Sequence, residues 1–299
     1  PGVSLQIEDG YGLRPNIGIR GVATERSGRI TLLEDNVLIA PAPYSAPSAY
    51  YFPTMGRMAA VEVVKGPAAV TQGPYTIGGA LNMASTPIPL QTGGELLTEV
   101  GQDATYRVHA KYGGRSDNGF GFLVEAHQWQ SDGFQTIDRS GANTGLDVTD
   151  FMAKLSYAPQ GSPHAVELKL QLADQDSNQS YLGLTDADFG GDALRRYGLS
   201  ELDNIATEHE QAILRYNYDV SANLSVSATA YNNTHQRNWF KTEGIDLGGS
   251  ASASDYAGTS WASVINAVNA GTGLGNVSFA ELQGILDGST DTAAGSVQL

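Results

Sequence analysis

The chain has 299 residues, with 32 acidic and 17 basic side chains, a formal net charge of −15, 36 glycines and no cysteine. That charge excludes the basic footprint of a nucleic-acid-binding protein, and the absence of thiols excludes disulfides and thiolate metal sites. No run approaches the ~18 consecutive apolar residues of a membrane helix, so the 41% hydrophobic content leaves a membrane role open only through a barrel of strands.

Both ends read as cuts. Pro1 has no initiator Met before it, no basic segment followed by an apolar one opens the chain, and Leu299 closes a polar stretch.

Residues 1–89 are rich in Gly and Pro with short, mixed apolar runs. Ile30 to Ala40 and Ala60 to Val64 read as strands. Between them lies a loop, residues 41–53, whose first half carries prolines that cannot donate to a ladder. Thr86-Pro-Ile-Pro89 reads as a linker, since prolines resist a central strand.

From residue 94 the pattern alternates at period two. Tyr106, Val108, Ala110 and Tyr112 share one face, against Arg107, His109 and Lys111. Phe120, Phe122, Val124 and Ala126 stand against Gly121, Leu123, Glu125 and His127. Phe151 to Tyr157, Val166 to Leu172, Ala212 to Tyr218 and Leu224 to Tyr231 repeat the pattern, and Glu95 to Gly101 precedes them. Such strands have one apolar and one polar face. The apolar face meets a second sheet in a soluble sandwich, or lipid in an outer-membrane barrel, and alternation alone leaves both open.

The connections favour the barrel. Residues 113–118, 159–164 and 219–223 are short, while 131–148 and 174–208 are long, and no strand is evident from His235 onward. Short turns at one end and long loops at the other mark outer-membrane barrels, and Tyr112, Tyr157 and Tyr218 at strand ends suit an interfacial aromatic girdle. In the Gly/Ser/Ala-rich tail, Thr259 or Ser260 can cap a helix over Trp261 to Asn269. Ser278 and Glu281 have capping-box spacing before Leu282 and Ile285.

The first half carries motifs that resemble those of TonB-dependent outer-membrane receptor plugs. Ile17-Gly-Ile-Arg-Gly21 resembles that family's Arg-Gly motif. Ala60-Val-Glu-Val-Val-Lys-Gly-Pro67 followed by Gly73-Pro-Tyr-Thr-Ile-Gly-Gly-Ala-Leu-Asn82 resembles its signature in order and spacing. Lys65 stands where Arg is common, Asn36 follows Asp35 where Asp-Gly is usual, and Gln72 replaces a common Tyr. Within the family, Ala42-Pro-Tyr44, Tyr181 to Phe189, Arg196-Tyr197 and Arg237-Asn-Trp-Phe-Lys241 look most like the ferric dicitrate transporters.

The resemblance implies a mainly β fold. A partial α/β plug, residues 1–89, would precede the first strands of a large antiparallel transmembrane barrel, residues 90–299. Large transporters of this kind have ~22 strands, so further strands, the energy-coupling box and the start of the plug are expected outside this sequence. It implies residence in the bacterial outer membrane, in contact with its lipid, and no enzymatic activity. It implies no cofactor, iron being carried as a chelate substrate. The partner implied is TonB with its inner-membrane energising complex, and no nucleic acid. The activity implied is uptake of an iron chelate coupled to the proton-motive force. A receptor for another solute, such as a different metal chelate or a carbohydrate, and a soluble β-sandwich binding module are the alternatives.

Iron chelates of citrate and many siderophores are anionic, and the planar fork of Arg suits carboxylates. Plug candidates for holding one are Thr24, Arg26, Arg29, Tyr44, Tyr50 and Tyr51, and loop candidates on the barrel are Arg195, Arg196, Arg237 and Trp239. For each alone, a solvated cation or a packed aromatic is the competing reading. Arg20, Glu62 and Lys65, inside the plug motifs, are candidates for ion pairs between plug and barrel wall. The five histidines show no metal-ligand spacing, and His109 and His127 fall on polar, lumen-facing sides. Asp186, Asp188 and Asp192 lack the full calcium-loop pattern. Gly73, Gly78 and Gly79 read as turn glycines rather than a phosphate cradle.

Overall fold

The computed structural model describes residues 2–39, 51–242, 244–245 and 259–289. In chain order the strands are β1 (Val3–Gln6), β2 (Asn16–Ile19), β3 (Ile30–Glu34), β4 (Val37–Leu38), β5 (Met58–Val64), β6 (Gly79–Ser85), β7 (Gly93–Val100), β8 (Tyr106–Arg115) and β9 (Phe120–Ser131). They continue as β10 (Thr136–Ile137), β11 (Leu146–Tyr157), β12 (His164–Ser177), β13 (Arg195–Arg196), β14 (Asn204–Ser221), β15 (Leu224–Phe240), β16 (Gly244–Ile245) and β17 (Thr259–Ser260). The helices are α1 (Asp186–Gly191), α2 (Trp261–Asn269) and α3 (Phe279–Leu286).

Two compact units emerge, one of Pro1–Gln130, Asp147–Gln175 and Thr207–Arg237, the other of Ser131–Leu146, Asp176–Ala206 and Asn238–Leu299. In the first, β1 and β2 form an antiparallel pair, and a four-stranded sheet has the order β4-β3-β6-β5. β3 and β6 run parallel, which takes the intervening hairpin partner β5 to the far side of β6. Ile17, Ile19, Ile30, Leu32, Leu81 and Met83 close its core with Tyr51 and Phe52. The expected single strand over Ile30 to Ala40 is broken. Asp35 and Asn36 take φ of 50° and 63°, the left-handed pair of a tight hairpin, and the chain turns back so that Leu33 pairs with Leu38.

A seven-stranded sheet follows, in the order β15-β14-β12-β11-β9-β8-β7, with β7, β8 and β9 antiparallel. Its polar face carries buried side chains: Glu125 and His127 on β9, Asp150 and Lys154 on β11, Lys169 and Gln171 on β12. Its apolar face is open. Leu96 is 68% exposed, Leu172 56% and Leu155 46%, with Phe120, Val124, Phe151 and Leu214 also exposed. An apolar surface of this extent calls for an apolar partner, and it matches the outward face of a transmembrane barrel. Among the described residues no second sheet covers this face, where the sandwich expectation needs one.

The strands are longer than the alternation indicates. β9 runs on to Ser131, β12 to Ser177, and β15 through His235 to Phe240. About 9–11 residues cross a membrane in a tilted strand. The extensions are mostly polar, with isolated aromatics at Trp129, Trp239 and Phe240, so they carry ladder bonds without regular apolar alternation. The first outer connection, between Val100 and Tyr106, is also a tight turn rather than a long loop, closed by Gly101 donating to the Thr105 carbonyl at 2.8 Å.

In the second unit, β10 pairs in parallel with β13, and α2 and α3 pack with Tyr197 around Val264, Leu282 and Ile285. Ser260 caps α2, accepting from the Ser263 amide. Ser278 and Glu281 form the expected reciprocal capping box on α3. Among the described residues, no helix is long and apolar enough to cross a membrane.

Candidate functional site

In the first unit, the end of β3 meets the polar face of the sheet. Glu34 and Asp35 are carried there because β3 is central in its sheet and stops at the Asp35-Asn36 turn. Lys169 of β12 donates to Glu34 Oε1 at 2.6 Å and to Asp35 Oδ2 at 2.7 Å. Arg57, from the turn before β5, donates Nη2 to Glu34 at 2.8 Å and Nε to Asp150 Oδ2 of β11 at 2.7 Å. Lys169, Arg57, Glu34 and Asp150 are all closed to solvent. Tyr51 adds its hydroxyl, donating to Glu34 at 3.1 Å and accepting from Gln171 at 3.0 Å, and stacks on His209 with ring centres 3.6 Å apart.

Burial pushes the Glu34 carboxyl up, but Arg57 and Lys169 outweigh it and hold it at about 2. Burial likewise raises Asp35, and Lys169 and Lys154 overcome it, leaving that carboxyl well below the usual range. Arg57 is disfavoured by burial yet kept charged by Glu34 and Asp150. Burial, and then the charge of Glu34, raise the Tyr51 phenol, so it stays a neutral donor. Ions this deep hold one another in place, and replacing one leaves its partners uncompensated.

The linker after β6 is tied to the same face. Thr86 donates to Glu125 at 2.7 Å, and its carbonyl accepts from Lys154 Nζ at 2.9 Å. Glu125 also bonds His109 Nε2 at 2.7 Å. Above this point a cavity of about 330 Å³ opens between residues 11–13 and 52–56 on one side and Arg107, His109, His127 and Trp129 on the other. Arg107 lies over the Trp129 ring, 4.2 Å from its centre.

The residues singled out from sequence fall elsewhere. Thr24, Arg26 and Arg29 gather around a 3-10 turn at Glu25–Ser27, before the opposite end of β3 from Glu34, and none lines the cavity. Tyr51 is buried and spends its hydroxyl within the ionic cluster, so it is corrected from a surface chelate contact to an internal strut. Tyr44 and Tyr50 lie outside the described residues. Arg237 is half-buried on β15.

In the second unit, Arg195 is committed to Asp138 at 2.8 Å and to Asp188, and its guanidinium packs on Tyr197. Arg196 is buried, with Nε on Ser200 Oγ at 2.9 Å and its other nitrogens on the Asn178 and Ser200 carbonyls. Both arginines, expected as loop cations for a chelate, instead hold their own loop together. Trp239 packs against Tyr181 at 5.0 Å and under Lys241.

The described residues do not show the expected plug–wall ion pairs at Arg20, Glu62 and Lys65. Arg20, Glu62 and Lys65 are exposed, and Glu62 accepts from Asn82 of the neighbouring strand β6 at 2.8 Å. Among the described residues, Glu34, Asp35 and Arg57 form ion pairs with the seven-stranded sheet. Part of the signal for them was present. Asp35 reads from sequence only as a turn residue and Lys169 as a polar-face residue of its strand, while Asp150 lies just outside the strand expected over Phe151 to Tyr157.

Residues 1–80 match the family model of the TonB-dependent Receptor Plug Domain. These residues are a TonB-dependent receptor plug domain. The chain is 25% identical over 260 residues to the vitamin B12 transporter BtuB of Vibrio vulnificus (strain CMCP6), covering 87% of this chain and 38% of that protein. Among solved structures, the ferric yersiniabactin uptake receptor FyuA from Yersinia pestis superposes with a TM-score of 0.66 at 17% identity, over 84% of this chain and 38% of its own. FpvA of P. aeruginosa, solved with a bound ferric pyoverdine, superposes with a TM-score of 0.61 at 14% identity, over 78% of this chain and 30% of its own. The chain thus spans under two-fifths of the length of these relatives. Plug, strands and open apolar face place it in the outer membrane of Gram-negative bacteria, as the plug followed by part of the barrel. The sheet that meets the plug is therefore the barrel wall, and its buried polar face is the lumen side.

Proposed function

We propose that the chain is part of a TonB-dependent receptor that takes up an iron chelate across the outer membrane, driven by the proton-motive force through TonB. The observation that carries this reading is the plug docked on the lumen side through buried ion pairs: Glu34 and Asp35 on Lys169, and Arg57 on Asp150. A plug so held blocks passive flow, yet it is released by exchanging charged partners rather than by unfolding a wholly apolar interface. The siderophore receptors among its structural likenesses and the Arg107 side of the lumen cavity support an anionic, chelated metal as cargo. Ferric dicitrate is the specific chelate proposed, on the sub-family motifs at Arg196-Tyr197 and Arg237 to Lys241.

The test uses the full-length gene in a bacterium without its own iron-chelate receptors, given labelled ferric citrate. Saturable uptake that unlabelled ferric citrate suppresses supports the proposal. Uptake of another ferric chelate, with none of citrate, keeps the iron reading and removes the citrate one. A second reading, transport of a cobalamin-type solute, rests on the resemblance to BtuB. Uptake of labelled cobalamin alone would establish it and overturn the iron reading.

A further inference from the structure

The outward face of the wall changes character at its short-turn end. Along β12 that face carries Val166, Leu170 and Leu172, and along β14 it carries Leu214, all exposed. It then ends on His164, the first residue of β12, and on Tyr216 and Tyr218 near the end of β14. The two strands are neighbours inside the sheet, away from both of its edges. Their ends are joined where the Asp219 amide donates to the Pro163 carbonyl at 2.8 Å.

The three rings form one unit. The His164 imidazole stacks on Tyr218, with centres 4.6 Å apart and planes within 10° of parallel. Its Nδ1 lies 2.7 Å from the Tyr216 hydroxyl, and its backbone amide donates to Ser162 Oγ at 3.1 Å. Ring and backbone are therefore both fixed, while Nε2 makes no hydrogen bond among the described residues. A tyrosine hydroxyl can donate to one nitrogen of a neutral imidazole, and the ring proton then sits on the other. With Tyr216 donating to Nδ1, Nε2 becomes a donor at the level where the apolar band stops. The charges of these strand ends do not compete for it. Glu167 and Arg215 alternate onto the lumen face and meet there at 3.5 Å, and Asp219 alternates to the same side as Arg215.

Short turns lie at the periplasmic end of an outer-membrane barrel, where aromatic side chains sit at headgroup level. The headgroup element that only accepts hydrogen bonds, and that glycerophospholipids share, is the phosphodiester. We propose that His164, set by Tyr216 and Tyr218, is a binding site for the phosphate of a glycerophospholipid in the periplasmic leaflet. Nε2 donates to a phosphate oxygen, and the acyl chains lie along Val166, Leu170 and Leu214. The site goes beyond the transport reading. It requires only that these strands cross the membrane, and it is indifferent to the solute carried.

The test uses diethyl pyrocarbonate, which acylates an imidazole nitrogen through a free lone pair. With Nδ1 accepting from Tyr216 and the Nε2 proton given to a phosphate, His164 offers none. The full-length receptor is placed in vesicles of phosphatidylcholine, which carries the phosphate without net charge. The comparison is vesicles of a galactosyl diacylglycerol with the same acyl chains and no phosphate. Modification is followed residue by residue by peptide mass spectrometry. His164 should react about tenfold more slowly in phosphatidylcholine, the factor of one hydrogen bond to a charged group. His109, on the lumen face, should react alike in both. Tyr216→Phe keeps the ring, frees Nδ1, and should bring the two His164 rates together. Equal His164 rates in the parent, or a Tyr216→Phe receptor as well shielded as the parent, would overturn the site. A misfolded variant is recognised by a changed His109 rate, and the parent comparison then decides alone. Should the receptor fail to transport iron while His164 stays shielded, the transport reading fails and this site stands.

Discussion

Lys169 of β12 holds Glu34 of the plug at 2.6 Å, with both side chains closed to solvent. The same ammonium reaches Asp35 at 2.7 Å, so one barrel cation serves two plug carboxylates. Replacing it by Met in the full-length receptor leaves Glu34 with Arg57 alone and strips Asp35 of its nearest countercharge. Breaking a buried pair costs about 3–5 kcal/mol, and denaturant unfolding of the plug, followed in detergent, should move by that order. Combining Lys169→Met with Glu34→Gln and Asp35→Asn should recover most of the loss, since no buried carboxylate then lacks a partner. An unshifted midpoint for Lys169→Met would show that the cluster does not hold the plug.

Acid should loosen the same contact. The folded pKa of Glu34 is depressed from 4.5 to about 2, and that of Asp35 is also depressed. For a depressed carboxylate, the unfolded state binds more protons between the two values. The stabilisation is therefore complete above pH 4.5 and is lost as pH falls toward 2. Melting of the full-length receptor should be flat in this respect above pH 5 and should drop below 4.5. Glu34→Gln should flatten the acid limb, and an acid limb unchanged by that variant would remove Glu34 from the account.

The Asp35-Asn36 hairpin gives a backbone test. Asn36 sits at φ 63° and its amide donates to Asn82 Oδ1 at 2.8 Å. Asn36→Gly keeps both the donor and the conformation and should be neutral or stabilising. Asn36→Val should cost about 1–2 kcal/mol, the strain of a β-branched side chain in left-handed geometry. Paired melting curves of the two variants decide it.

The loop helix α3 depends on its cap. Ser278 accepts from the Glu281 amide while Glu281 reaches back to the Ser278 amide at 2.8 Å. Ser278→Ala should cost about 1 kcal/mol, read as faster hydrogen exchange across Phe279–Leu286. The capping interaction also lowers the Glu281 carboxyl, and the variant should return its titration toward the ordinary glutamate value.

Much of this was legible in the sequence because the signals are local. Period-two alternation located all seven barrel strands, since lipid and lumen impose opposite chemistry on successive residues. The capping signals at Thr259 or Ser260 and at Ser278 located α2 and α3, while α1 carried no such reading. The outer ends of β9, β12, β14 and β15 were not legible, because the buried face there is itself largely polar, as at Thr207, His209 and Gln211, so burial alternates without a matching alternation in hydropathy. The site was less legible still. Arg57, Asp150 and Lys169 are each 15 or more residues apart in sequence, and only tertiary packing brings them together on Glu34. Arg195 and Arg196 misled for the reverse reason. A basic pair in a long loop looks available to a ligand, whereas here Asp138, Asp188 and local carbonyls occupy it.

The measurement that tests the central claim most directly is the TonB dependence of iron entry. Cells carrying the full-length receptor would be given labelled ferric citrate, with and without a functional TonB. The account predicts accumulation with TonB and only background without it, because a plug held by buried ion pairs does not release on its own. Equal accumulation in both strains would show a pore that the plug does not close, and would contradict the mechanism.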